Sequence, residues 1–191
     1  HINEARETDK AMPDVTEKEK FLYDLQGFLV VKDVLTRSEI TTLNAAFDAN
    51  WDKRRDDPNT VPDGNTYGPI RRGLFDGMLT WEKPWCNPFR ELLVHTRVIP
   101  YLDEMLGRGW KMDHSPFMLT GGKGTEGLRI HGATSRHFNG SQYYSYANGI
   151  MRCGMIVCQF QLADVQSGDG GLCVIPGSHK ANYGCPDEIL R

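Results

Sequence analysis

Polar residues dominate the first fifteen positions and Pro13 interrupts them, so residues 1–15 read as a mobile lead-in. Periodicity starts at Thr16, which with Glu19 three residues later forms a capping-box signature ahead of Phe21, Leu22 and Leu25, at helical spacing until Gly27. The compact apolar run Phe28-Leu29-Val30-Val31 then predicts a buried strand. Thr36 and Glu39 repeat the capping box, and Ile40, Leu43, Phe47 and Trp51 recur at intervals that place them on one face of a second helix, expected to pack on a sheet. Asp56 to Gly73 is rich in Asp, Asn, Pro and Gly and reads as a long surface loop. Two short helices follow, Phe89 to Leu93 and Val98 to Leu106, with Pro100 placed in a first turn and Gly107 as the stop.

Beyond Gly107 the pattern changes. Trp110 to Thr120, Leu128 to Ala133, Met151 to Ala163 and Leu172 to Ile175 read as extended segments, joined by glycine-rich linkers suited to hairpins and sheet crossings. Helices first and strands later predict an α+β, mostly β architecture of the jelly-roll kind, with N-terminal helices packed on one sheet. A chain of 191 residues is of a size for one domain, here 16–191.

Composition narrows the function classes. A net charge of -3 and a pI near 6.1 give no electrostatic footprint for nucleic acid, which calls for clustered Lys and Arg. The five cysteines are an odd number without C-x-x-C spacing, and no secretory apolar segment opens the chain, so reduced thiols in an intracellular, cytoplasmic setting are expected. No apolar run approaches the roughly 18 residues that a membrane span requires.

The chemistry-bearing residues are few. His131 sits in the extended Leu128-Arg129-Ile130-His131-Gly132-Ala133, and the loop after it carries His137, Tyr143, Tyr144 and Tyr146. Such an arrangement fits the mouth of a β-barrel, where ligand sites tend to lie, with Tyr143 and Tyr144 as walls of a substrate pocket. The same tyrosines could instead pin the loop to the sheet. Arg71 and Arg72, at the end of the long loop, could serve an anionic group of a small-molecule substrate or stand as solvated charges.

Asp169-Gly170-Gly171-Leu172-Cys173-Val174-Ile175-Pro176-Gly177-Ser178-His179-Lys180 is the most distinctive segment. Together with Phe28 to Val31 and Ile156-Val157-Cys158-Gln159-Phe160, it resembles the phytanoyl-CoA dioxygenase family of Fe(II)- and 2-oxoglutarate-dependent oxygenases over roughly residues 17 to 185. The resemblance implies a cupin-like double-stranded β-helix that hydroxylates a small organic substrate through ferryl hydrogen abstraction. It also implies an iron held by an H-x-D pair and a distal His, with 2-oxoglutarate clamped by an Arg beyond that His. His131 matches the first histidine of the pair, Ala133 stands where the aspartate would be, and Phe160 falls beside the cosubstrate or in ordinary core. His179 matches a turn histidine that fixes the Pro-Gly turn by hydrogen bonding.

By that resemblance the distal His, the Arg and the last strands fall after Arg191, so the sequence reads as the N-terminal part of a longer product. An unpaired edge would then self-associate or pair with the missing C-terminal segment. Ala133 leaves three functional expectations. One is an oxygenase with the gap filled by water or another carboxylate. Another is a halogenase with chloride in the open carboxylate position, since some related halogenases carry H-x-A or H-x-G. The third is a non-catalytic ligand-binding jelly roll.

Overall fold

Both capping boxes form. In the computed structural model, which describes residues 14–57, 70–122, 124–125, 127–128, 130–132, 140–186 and 188–189, the Glu19 N–H donates to the Thr16 hydroxyl at 3.2 Å and the Glu19 carboxylate accepts from the Thr16 N–H at 2.8 Å. These bonds satisfy N-terminal donors that a helix leaves open, and they start α1, Glu17–Gln26. Thr36 and Glu39 repeat the geometry at 3.2 and 2.6 Å and start α2, Arg37–Asp48. Helix α1 ends at Gly27, whose φ of 82° is the left-handed stop that glycine adopts without strain.

Strand β1 (Arg55–Asp56) pairs antiparallel with β2 (Gly73–Phe75), and β2 with β3 (Met118–Thr120), so β2 is central in a three-stranded sheet. Helix α3, Asn87–Leu92, and helix α4, Ile99–Leu106, lie between β2 and β3 in the chain. A separate hairpin joins β4 (Tyr144–Ala147) to β5 (Ile150–Cys153), pairing Tyr144 with Cys153 and Ala147 with Ile150. Its turn residues, Asn148 and Gly149, have φ of 54° and 77°, the two positive values a tight hairpin turn demands.

Two apolar clusters hold these elements. The larger brings Leu43, Ala46 and Phe47 of α2 against Phe75 of β2, Trp81, and Phe89 of α3. Within it Phe47 meets Phe75, Trp81 and Phe89 at centroid distances of 5.1, 5.8 and 5.0 Å, in the tilted and edge-on arrangements that suit aromatic quadrupoles. The expected packing of α2 on a sheet is therefore realised through Phe75. The smaller cluster packs Tyr23 of α1, Met105 of α4, and Met151 and Cys153 of β5.

The described strands differ from the expected ones. Phe28 to Val31 is not a strand: Val30 is exposed, and the main chain is held by local bonds such as Gln26 Nε2 to Phe28 O at 2.8 Å. Of Trp110 to Thr120 only Met118–Thr120 pairs, and of Met151 to Ala163 only the hairpin end does. Leu172 to Ile175 carries no regular structure, nor do the described residues of Leu128 to Ala133. The reason is common to all: a strand exists only where a neighbouring chain completes its ladder, and among the described residues these segments have none. The described residues thus form an α+β structure with two small sheets, without a closed double-stranded β-helix. No described helix is long and apolar enough to cross a membrane.

Candidate functional site

Elements distant in sequence meet at the C-terminal end of α1. The turn Pro176 to Lys180, which includes a short 3-10 turn Ser178–Lys180, lies across it, with the Gly177 N–H donating to Gln26 O at 2.9 Å. The Asp24 carbonyl accepts from Lys180 Nζ at 2.6 Å and lies 3.1 Å from His179 Nε2. The Asp24 carboxylate accepts a hydrogen bond from the Tyr144 hydroxyl on β4. That bond holds the Asp24 carboxyl below the usual carboxylate range, while burial first and then the same bond push the Tyr144 phenol up. The His179 ring packs edge-on against Tyr144 with centroids 4.6 Å apart. A side chain at Gly27 would occupy the space of that ring, so glycine is required there for close approach as well as for φ.

His179 therefore does fix the Pro-Gly turn, and its anchor is α1. Burial pushes its imidazole pKa below the ordinary value of 6.5, and Nδ1 is buried without a hydrogen-bond partner among the described residues. The unfolded chain takes up the proton first, so the contribution of His179 to stability is full above about pH 6.5 and is lost as pH falls toward the depressed folded value. Asp24 acts lower, since its lost stability begins only as pH drops through its unfolded value of 3.8. The melting temperature of the wild type is expected to fall more between pH 7.5 and about 5 than that of His179→Gln. Parallel curves for the two proteins would rule out this role.

Beneath the turn, the Tyr23 hydroxyl and Cys153 Sγ are 3.4 Å apart and buried. Burial raises both the phenol and the thiol pKa, so both stay protonated and this contact is structural.

The expected site residues fall in different places. His131 is exposed, and Ala133 and His137 lie outside the described residues. Tyr143 and Tyr144 are half-buried, the second through its contacts with Asp24 and His179. Phe160 is packed against the larger cluster, 6.3 Å from the His95 ring. Arg71 and Arg72 separate, because adjacent residues of extended chain face opposite ways. Arg71 is exposed, whereas Arg72 is buried, its Nε and Nη2 2.6 and 2.5 Å from Asp57 Oδ2. Neither a substrate role nor plain solvation describes Arg72 in this state: its guanidinium is occupied by an internal carboxylate.

Sequence reasoning overlooked Asp24, Asp57 and Cys153. The Asn148-Gly149 pair was a readable signal for the hairpin that delivers Tyr144 and Cys153; nothing local marks the two aspartates.

Iron requires several donors converging on one point. Among the described residues no three His, Cys, Asp or Glu side chains come together to hold a metal ion, so a complete ligand set is not found among them.

The phytanoyl-CoA dioxygenase (PhyH) family model matches residues 23–187, and the chain belongs to that family. Its members are dioxygenases of cupin or jelly-roll fold that normally use Fe(II) and 2-oxoglutarate. No curated protein and no solved structure matches the chain.

Proposed function

We propose that this chain is a non-haem Fe(II)/2-oxoglutarate-dependent oxygenase-type protein that hydroxylates a small organic substrate, with His131 as a metal ligand. The observation that carries the reading is the family match over residues 23–187; His131 is proposed as the ligand because His131-Gly132-Ala133 resembles the family's H-x-D pair at its first position. Iron and 2-oxoglutarate, when bound, supply the oxidising power. The chain supplies orientation and exclusion of water, with Phe160 and Tyr143 as candidate walls and Arg71 as an exposed cation for an anionic substrate group.

Adding Fe(II) and 2-oxoglutarate anaerobically to the full-length gene product is expected to give a metal-to-ligand charge-transfer absorption band, and His131→Ala is expected to abolish it. Absence of the band in the wild type would overturn the oxygenase reading and favour a non-catalytic binding protein.

A second reading is favoured by Ala133, which removes one carboxylate and one negative charge from the H-x-D position. A halide satisfies both deficits, which makes a 2-oxoglutarate-dependent halogenase the alternative. Chloride is then expected to shift the charge-transfer band, and Ala133→Asp to remove that response. A chloride response that survives Ala133→Asp would eliminate the gap-filling idea.

A further inference from the structure

A groove of about 290 Å³ lies away from α1 and the turn docked on it, between Trp51 after α2, Ile70 and Arg71 before β2, and the chain leaving β3. Its lining combines two cations with an exposed aromatic surface.

Arg54 is held in place. Its Nε donates to Thr120 Oγ1 at 3.3 Å, and its guanidinium lies where any side chain on Gly73 would be, so the glycine at the start of β2 gives it room. Among the described residues the ion-pair partner of Arg54 is Asp56, 3.9 Å from Nη1 and long for a charge-assisted bond. Arg71 is exposed and has no ion-pair partner among the described residues. Among the described residues, the groove thus presents two guanidiniums and one loosely engaged carboxylate.

Trp51 packs against Phe75 at 5.6 Å, yet 56% of its surface remains exposed, and Ile70 is 53% exposed. An indole and an isoleucine beside two arginines complement a flat apolar body with an anionic head: the ring gains stacking contact and the carboxylate gains charge-assisted bonds. We propose that this groove binds a small aromatic carboxylate, its ring against Trp51 and Ile70 and its carboxylate between Arg54 and Arg71. As a statement of substrate class this rests on the oxygenase reading; as a statement of binding it does not.

Benzoate is the probe, followed by saturation-transfer NMR on the full-length gene product. Cyclohexanecarboxylate and benzamide are expected to bind about tenfold more weakly than benzoate, because each lacks one of the two recognised features. Arg71→Gln should weaken benzoate about tenfold or more. Gly122→Leu is expected to weaken benzoate as well: Gly122 lines the groove and nothing lies within 4 Å of a Cβ built there, so the added side chain has room beside the ligand without displacing the described fold. Circular dichroism and melting temperature should remain those of the wild type in both variants. No benzoate binding up to roughly 10 mM, or unchanged binding in both variants, overturns the proposal. Displacement of benzoate by 2-oxoglutarate also overturns it, since the groove would then belong to the cosubstrate. The charge-transfer band, read on the same samples, separates the two conclusions: benzoate binding without the band removes the oxygenase reading and keeps the groove, and the band without benzoate binding does the reverse.

Discussion

Asp57→Ala is expected to destabilise the protein by about 3–5 kcal/mol, because it leaves the Arg72 guanidinium buried without its counter-charge. Asp57 is 2% exposed and Arg72 8%, and two arginine nitrogens meet one carboxylate oxygen at 2.6 and 2.5 Å. The main chain adds the Asp57 N–H to Arg72 O bond at 3.1 Å, so the pair also sets how β1 meets β2. Removing both partners should be far milder than removing one, since an apolar pair of similar volume has no charge to desolvate. Urea denaturation of Asp57→Ala and of Asp57→Ala/Arg72→Met measures the difference. A double variant as unstable as the single one would show that the loss comes from packing and not from the orphaned charge.

Phe47→Ala should cost a similar amount, about 3–5 kcal/mol, by a different route. Phe47 is 6% exposed and touches three aromatic rings, so its deletion opens a cavity where α2, β2, Trp81 and α3 meet. For a chain of this size, each kcal/mol corresponds to roughly 2–4 °C in melting temperature, giving a fall of roughly 6–20 °C. Phe47→Leu should recover much of it by refilling volume. A fall of under about 2 °C for Phe47→Ala would mean that the three rings close the gap among themselves.

These two positions show what the sequence disclosed and what it withheld. Phe47 was legible, because its spacing from Leu43 marked the inner face of α2 and Thr36 with Glu39 marked where the helix begins. Helix ends are written locally, in residues three or four apart. Asp57–Arg72 was not legible, since nothing near either residue says that the other will be its partner. The same holds for strands: Phe28 to Val31 had the composition of one, but a ladder depends on a neighbour that composition does not name. Asn148-Gly149, by contrast, is a local signal for a hairpin, and it lies just after the stretch that reads as a loop carrying Tyr143, Tyr144 and Tyr146. His131 and Ala133 stand as candidates on motif resemblance alone. Convergence of donors on one point is a tertiary property, and the described residues leave His131 on the surface.

The docking of the Pro-Gly-Ser-His-Lys turn on α1 has a temporal side. His179 and its acceptor at Asp24 are 155 positions apart in the chain. On a ribosome adding about 5–20 residues per second, α1 is complete roughly 8–30 s before its partner is made. Through that interval the Asp24 carbonyl has only water and its own helix, and the apolar face around Tyr23 awaits Met151 and Cys153 from the hairpin. The capping box at Thr16 and the left-handed stop at Gly27 need nothing from downstream. They bias the segment toward its helix before its partners exist, so that the later-made turn meets a surface already inclined to its final shape.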